Sequence, residues 1–165
     1  MKTFDILGLG NPMLDTVLSV DEMPANGGKV RGRLVGHFPG GTVANVLCAA
    51  SKLGAMSAIY GSVGRDGEGD FLAADLVASG VATKFLQRAE RDRSGFSMIM
   101  VGGDGEKSLV FVPRPELPLD ERILLEASRL TRVIYHMPSD AGRLRSIYRI
   151  ARQAGALVAV DLEPA

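Results

Sequence analysis

A single cysteine, Cys48, stands in the 165 residues. One cysteine excludes an internal disulfide and a cysteine-built metal site. Its place in an apolar helical stretch predicts a small buried thiol. Net charge is also lacking, with 19 Lys and Arg against 19 Asp and Glu. That balance argues against a strongly basic nucleic-acid surface and against a polybasic tail drawn to membranes, so neither is an expected partner. No apolar run approaches the roughly 18 residues that span a bilayer. The N-terminus has no apolar stretch followed by a small-residue cleavage site, as a signal peptide would. A cytoplasmic enzyme or binding protein is the expectation. What remains is ordinary: 46% hydrophobic residues, and a length suited to one domain that buries roughly 70% of its unfolded surface.

The most informative stretch is Phe38-Pro39-Gly40-Gly41-Thr42-Val43-Ala44-Asn45. Two glycines precede an apolar stripe at Val43, Val46, Leu47, Ala50 and Leu53, spaced by three and four as on one helix face. Gly54 suits the left-handed turn just past a helix end. Glycines at 40 and 41 permit backbone shapes and close approach that a side chain would forbid. The first amides of the helix have no helical partner and face an electron-rich group. Asn45, one turn in, adds a donor and an acceptor. The stretch reads either as a tight strand-to-helix turn or as a pocket for a small polyol.

Phe4 to Leu9 is short and apolar and runs into Gly10-Asn11-Pro12, a buried first strand ending in a turn. Gly8-x-Gly10 begins a dinucleotide fingerprint, but Met13 occupies the third glycine's place. Gly-Leu-Gly-Asn-Pro also resembles the opening of peptidyl-tRNA hydrolases, which Met13-Leu14 does not continue. Asp15 to Val20 and Lys29 to Val35 alternate polar and apolar residues, predicting a small antiparallel flap. Asp15 follows the carboxyl end of the first strand, where open α/β sheets bind ligands. It reads as a salt-bridged surface residue or as an acceptor for substrate hydroxyls.

Further strands are predicted over Met56 to Ser62, near Lys84 to Arg88, over Val133 to His136 and over Leu157 to Val160. Asp66 or Asp70 would cap a second helix, Asp120 a third and Asp140 a fourth. Ser94 to Val101 and Ser108 to Val112 form the clearest hairpin, with Phe96, Met98 and Met100 on one face. Strands alternating with helices imply a parallel sheet with helices on its faces. The flap and the hairpin together make a second small sheet. Arg114, in the loop after the hairpin, reads as a solvated side chain or as a contact for a charged substrate.

In this order and spacing the residues resemble the N-terminal half of the PfkB, or ribokinase-like, family of carbohydrate and nucleoside kinases. The carriers are Gly10-Asn11 leading to Asp15, Gly40-Gly41-x-x-Ala44-Asn45, Leu53-Gly54, Gly61-x-Val63-Gly64-x-Asp66-x-x-Gly69 and Ser94-Gly95. The resemblance implies a Rossmann-like, three-layer α/β sheet of ribokinase type with a small β-sheet lid formed by segments about 15–36 and 94–113. It implies Asn11, Asp15, Gly40, Gly41 and Asn45 as contacts to the substrate's hydroxyls, with Ser94, His136 and Asp161 as further candidates. It also implies a sugar acceptor, ATP and Mg²⁺ in the full-length protein, and a homodimer paired through the lid. Gly-Asn-Pro-x-Leu-Asp resembles adenosine-kinase-like openings, so a nucleoside acceptor is the alternative within the family. A non-catalytic half-length sugar-binding module is the alternative outside it.

Three departures qualify the resemblance. Many ribokinase-type members carry a sugar-binding Glu near the strand end that here reads Tyr135-His136-Met137. The family's Asp-Pro-Asn-x-Arg strand end is here Asp161-Leu162-Glu163-Pro164-Ala165, matching only at Asp161. The second signature, resembling Asp-Thr-x-Gly-Ala-Gly-Asp, is absent. It supplies the family's anion hole and catalytic base, and phosphoryl transfer depends on such positioning and charge stabilisation. Gly67-Glu68-Gly69-Asp70 mimics it, but Glu68 would put a carboxylate where a phosphate must sit, so the segment reads as a helix entry. The chain is therefore expected to be the substrate-binding part of one larger domain, without the nucleotide-binding half, without a catalytic base or metal site of its own, and inactive alone.

Overall fold

A computed structural model describes residues 2–115 and 117–162. The chain runs β1 (Phe4–Leu9), β2 (Met13–Val20), β3 (Gly32–Gly40), α1 (Thr42–Lys52), β4 (Ser57–Gly64), α2 (Gly67–Ala78) and β5 (Val81–Ala89). It continues through β6 (Gly95–Val101), β7 (Lys107–Val112), α3 (Glu121–Arg129), β8 (Thr131–His136), α4 (Ala141–Ala154) and β9 (Leu157–Val160). Five strands form a parallel sheet in the order β5-β4-β1-β8-β9. No helix among the described residues is long and apolar enough to cross a membrane.

The strand period of two sends alternate side chains to opposite faces of this sheet. Leu7 and Leu9 of β1 join Tyr60, Leu124, Ile134, Ile147 and Ile150 on the face covered by α3 and α4. Ile6 joins Val43, Leu47, Ile59 and Leu76 on the face covered by α1 and α2. Leu7, Leu47, Ile59, Leu124 and Ile134 are fully buried, each removing an aliphatic side chain from water, an effect of about 1.5–3 kcal/mol per residue. Cys48 packs against the second cluster but is half-buried, not buried, because it sits at the edge of the stripe on α1.

The flap and the hairpin join in one four-stranded sheet, β3-β2-β6-β7. It is mixed: β2 pairs antiparallel with β3 but parallel with β6. The strand expected over 29–35 lies further along, and Phe38, Pro39 and Gly40 are its last residues rather than part of a turn. Pro39 fits because β3 is an edge strand, where a missing amide costs no ladder bond. Likewise β5 begins at Val81, three residues before its expected start, since Gly80 with φ +82 ends the helix directly before it.

Three of the four helices among the described residues begin on an aspartate. Asp66, Asp120 and Asp140 each accept hydrogen bonds from first-turn amides, a cap worth about 1 kcal/mol. The Gly67–Asp70 segment is the first turn of α2. Its carboxylates are engaged by arginines, Glu68 by Arg93 at 2.9 Å and Asp70 by Arg88 at 2.9 Å. Helix α1 differs: it starts from Gly41, at φ +99, with no side-chain cap and no acidic residue in its first turn.

Candidate functional site

A cleft of about 660 Å³ opens at the carboxyl ends of β1, β4 and β8. Leu9, Gly10 and Asn11 come from the end of β1, Tyr60 and Gly61 from β4, and His136 and Met137 from β8. The start of α1 contributes Gly41, Thr42, Val43 and Asn45. The second sheet stands over the opening and contributes one face. Register places Asp15, Ser97 and Phe111 side by side across β2, β6 and β7, followed by Val17, Ile99 and Leu109. Asp15, Ser97, Ile99, Leu109 and Phe111 line the cleft. The opposite face carries Leu14, Phe96 and Val112, then Thr16, Met98 and Val110.

Of the residues expected from the sequence, Asn11, Asp15, Gly41, Asn45 and His136 meet in this cleft. Asn11 is fixed by its carbonyl oxygen, which accepts from the Ser62 amide at 2.8 Å and the Ser62 hydroxyl at 3.1 Å. That leaves its amide nitrogen as the donor end. Gly41 is required by its positive φ, which a side chain rarely tolerates. Asn45 is exposed, its backbone amide bonded to Gly41 O at 2.9 Å, so its side chain lies one turn into α1 beside the uncapped amides.

Three expected contacts do not line the cleft. Gly40 is buried in β3, and a Cβ there would lie 2.2 Å from Asp15 Oδ2. Its part is to leave room for that carboxylate. Ser94 is a fastener. Its hydroxyl donates to Asp66 Oδ1 at 2.7 Å, its amide donates to Asp66 Oδ2 at 2.8 Å, and its oxygen accepts from the Gly64 amide at 3.0 Å. Asp161 accepts from the Tyr135 hydroxyl at 2.6 Å, and its amide donates to His136 O at 3.0 Å. The rest of that terminal motif, Glu163 to Ala165, lies outside the described residues.

The fastener has an electrostatic consequence. Partial burial would raise the Asp66 carboxyl, but hydrogen bonds from Ser94 and Gly69 and the nearby Arg93 charge outweigh it and hold it below its ordinary value. His136 is 1% exposed and stands 5.9 Å from the Tyr148 ring centroid. Its Nδ1 lies 2.6 Å from Met137 O, and because a carbonyl only accepts, Nδ1 carries the proton. Nε2 is then an acceptor in the neutral ring.

Sequence reasoning missed the lid's contribution of Ser97, Ile99, Leu109 and Phe111. The signal was present: if Phe96, Met98 and Met100 share one face, Ser97 and Ile99 share the other. It also missed Ser139 and Arg143 at the start of α4, and it left Arg114 open where the structure buries it at 5% exposure.

The profile of the pfkB family of carbohydrate kinases matches residues 5–142. The chain belongs to the pfkB family. Among curated relatives, ribokinase of Bacillus subtilis is 33% identical over 108 residues, covering 66% of this chain and 36% of that protein. The ATP-dependent ribose-1-phosphate kinase of Halopiger xanaduensis is 28% identical over 162 residues, covering 94% of this chain and 53% of that protein. The Arabidopsis thaliana ribokinase solved with ribose and ATP superposes with a TM-score of 0.83 at 20% identity, covering 100% of this chain and 55% of that one. The chain thus has the ribokinase-like α/β fold and spans about half the length of the relatives it matches, or less.

Proposed function

We propose that the protein containing this chain transfers a phosphoryl group from ATP to a hydroxyl of a sugar, and that this chain holds the acceptor. The observation that carries the reading is convergence. Asn11, Asp15 and the uncapped start of α1 with its Asn45 come from separate segments and open on one cleft beneath the second sheet. Donors and acceptors of that kind suit a polyol, with the Asp15 carboxylate accepting from hydroxyls and the Asn11 amide donating to them. A sheet over the cleft excludes water, which protects a transferable phosphoryl group from hydrolysis. Names of relatives, among them ribokinase and ATP-dependent ribose-1-phosphate kinase, support sugars as the class.

The donor side is proposed to lie outside these residues. The sequence has no Gly-Ala-Gly-Asp element, and Gly67–Asp70 is engaged as a helix entry. ATP-dependent transfer uses Mg²⁺ bound largely by the nucleotide's phosphates. Among the described residues no group of three or more His, Cys, Asp or Glu could hold a metal, so no step is assigned to the ion here. The test is ADP release by the intact protein with ATP and a panel of pentoses, hexoses and nucleosides. Sugar-dependent release is expected. Release with nucleosides alone would favour the second reading, for which the apolar inner lid face at Ile99, Leu109 and Phe111 offers a surface for a base. Sugar binding without any release would make the chain part of a non-catalytic module.

The outer lid face is proposed to pair with a second copy of the protein. Phe96, Met98, Val110 and Val112 lie on neighbouring strands there and are each 38–55% exposed. An apolar patch shared by adjacent strands marks an interaction surface. The intact protein is expected to sediment as a dimer, and Met98→Lys with Val110→Lys to shift it toward the monomer. A wild-type monomer at assay concentrations would remove this proposal without touching the first.

A further inference from the structure

Six buried side-chain nitrogen or oxygen atoms among the described residues have no hydrogen-bond partner. Three of them, Arg114 Nη2, His136 Nε2 and Ser139 Oγ, belong to residues lining the cleft. Buried polar groups are normally satisfied, so such a concentration in one place points to a ligand.

Arg114 is the most demanding of the three. Its side chain is 1% exposed. Nε donates to Arg93 O at 3.3 Å, and Nη1 donates to the Ser62 hydroxyl that in turn donates to Asn11. Nη2 lies 3.5 Å from Asp92 Oδ2, an ion pair without a hydrogen bond, and that carboxylate is itself 41% exposed. A guanidinium does not deprotonate in proteins, so it cannot escape burial by neutralising. A half-solvated aspartate leaves much of its desolvation unbalanced. A second guanidinium, Arg143, lines the cleft and also the small recess it shares with Asn11 and Ser62. Lys107 adds a third cation at the lid's edge, and Asp15 is the only carboxylate among the described residues of the lining. The buried, half-balanced Arg114 guanidinium suits an acid group better than a neutral polyol.

We infer that the acceptor carries an acid group, a phosphate ester or a carboxylate, and that Arg114 receives it with Arg143 and Ser139. The inference rests on the sugar-kinase reading and narrows it. Arg114 offers a planar fork suited to either anion. The Ser139 hydroxyl donates to it. Because Arg114 also braces Ser62 and Asn11, the acid group and the polyol contacts share one floor, and binding of the acid end orients the hydroxyl end.

The test uses the intact protein, ATP and three acceptor classes: neutral pentoses and hexoses, their monophosphate esters, and sugar acids. One acid-bearing class is expected to exceed the neutral sugars in kcat/KM by roughly tenfold or more, and which class does so names the anion. Arg114→Gln is expected to lower that ratio roughly tenfold, chiefly through KM of the acid-bearing acceptor. A brace without anion contact would instead lower both classes in parallel and leave the ratio unchanged, which overturns the assignment. If Arg114→Gln loses its cooperative thermal transition, Arg143→Gln read by the same ratio decides. Neutral sugars turned over with no acid preference overturn this inference alone. No turnover of any sugar overturns it together with the reading on which it rests.

Discussion

Asp15→Ala is expected to lower kcat/KM for the acceptor by roughly a thousandfold while the thermal midpoint stays near that of the wild type. The carboxylate stands under the second sheet in line with Ser97 and Phe111 and lines the cleft. Two charge-assisted hydrogen bonds to substrate hydroxyls, at about 2 kcal/mol each, give that factor. Asp15→Asn keeps the shape and one acceptor oxygen and is expected to fall between the two. Gly40→Ala is an independent arm, because a Cβ 2.2 Å from Asp15 Oδ2 must displace the carboxylate while leaving it in the protein. It is expected to weaken acceptor binding with Asp15 still present. Titration calorimetry with the preferred acceptor checks all three. Unaltered affinity in Asp15→Ala would remove this residue from the site.

Asp66→Ala is expected to cost about 3 kcal/mol of stability, lowering the thermal midpoint by roughly 10 °C. One carboxylate caps α2 through the Gly69 amide at 2.8 Å and receives both the amide and the hydroxyl of Ser94. Ser94 directly precedes β6, where the chain passes from the main sheet into the sheet over the cleft. The substitution strips the cap and strands the Ser94 amide, so faster amide exchange across Gly95–Val101 is expected alongside the lost stability. Exchange there at the wild-type rate would show that Asp66 serves α2 alone. The same carboxyl sets a pH dependence. Its folded value lies below the ordinary 3.8. Its contribution is therefore complete above about pH 4 and is lost as the pH falls through the folded value. In Asp66→Ala that acid-limb loss is expected to shrink.

Local pattern carried most of the architecture. The helical stripe from Val43 to Leu53 and the apolar run from Phe4 to Leu9 each met their elements within a residue. Both are periodic enough that propensity and burial agree. The aspartate caps at 120 and 140 are equally local, because the bonds they make span two or three residues. Boundaries slipped where context decided them. Pro39 and Gly40 look like a turn, yet they complete β3 because that strand lies at a sheet edge and pairs with Met13 and Leu14.

The residue types of the site were legible, but their roles were not. The sequence by itself determined the parallel sheet, the helix entry at Gly41 and the candidacy of Asn11, Asp15 and Asn45, because each depends on neighbours close along the chain. Only the tertiary structure separated Ser94 and Asp161 from the cleft, since each is held by a residue 28 or 26 positions away. It also set Gly40 against the Asp15 carboxylate, where a Cβ would collide with it. Above all it buried Arg114 against Ser62, 52 residues distant, a pairing that arises only when β4 and the end of the hairpin meet. Burial of a charge depends on what folds over it, and no local sequence pattern encodes that.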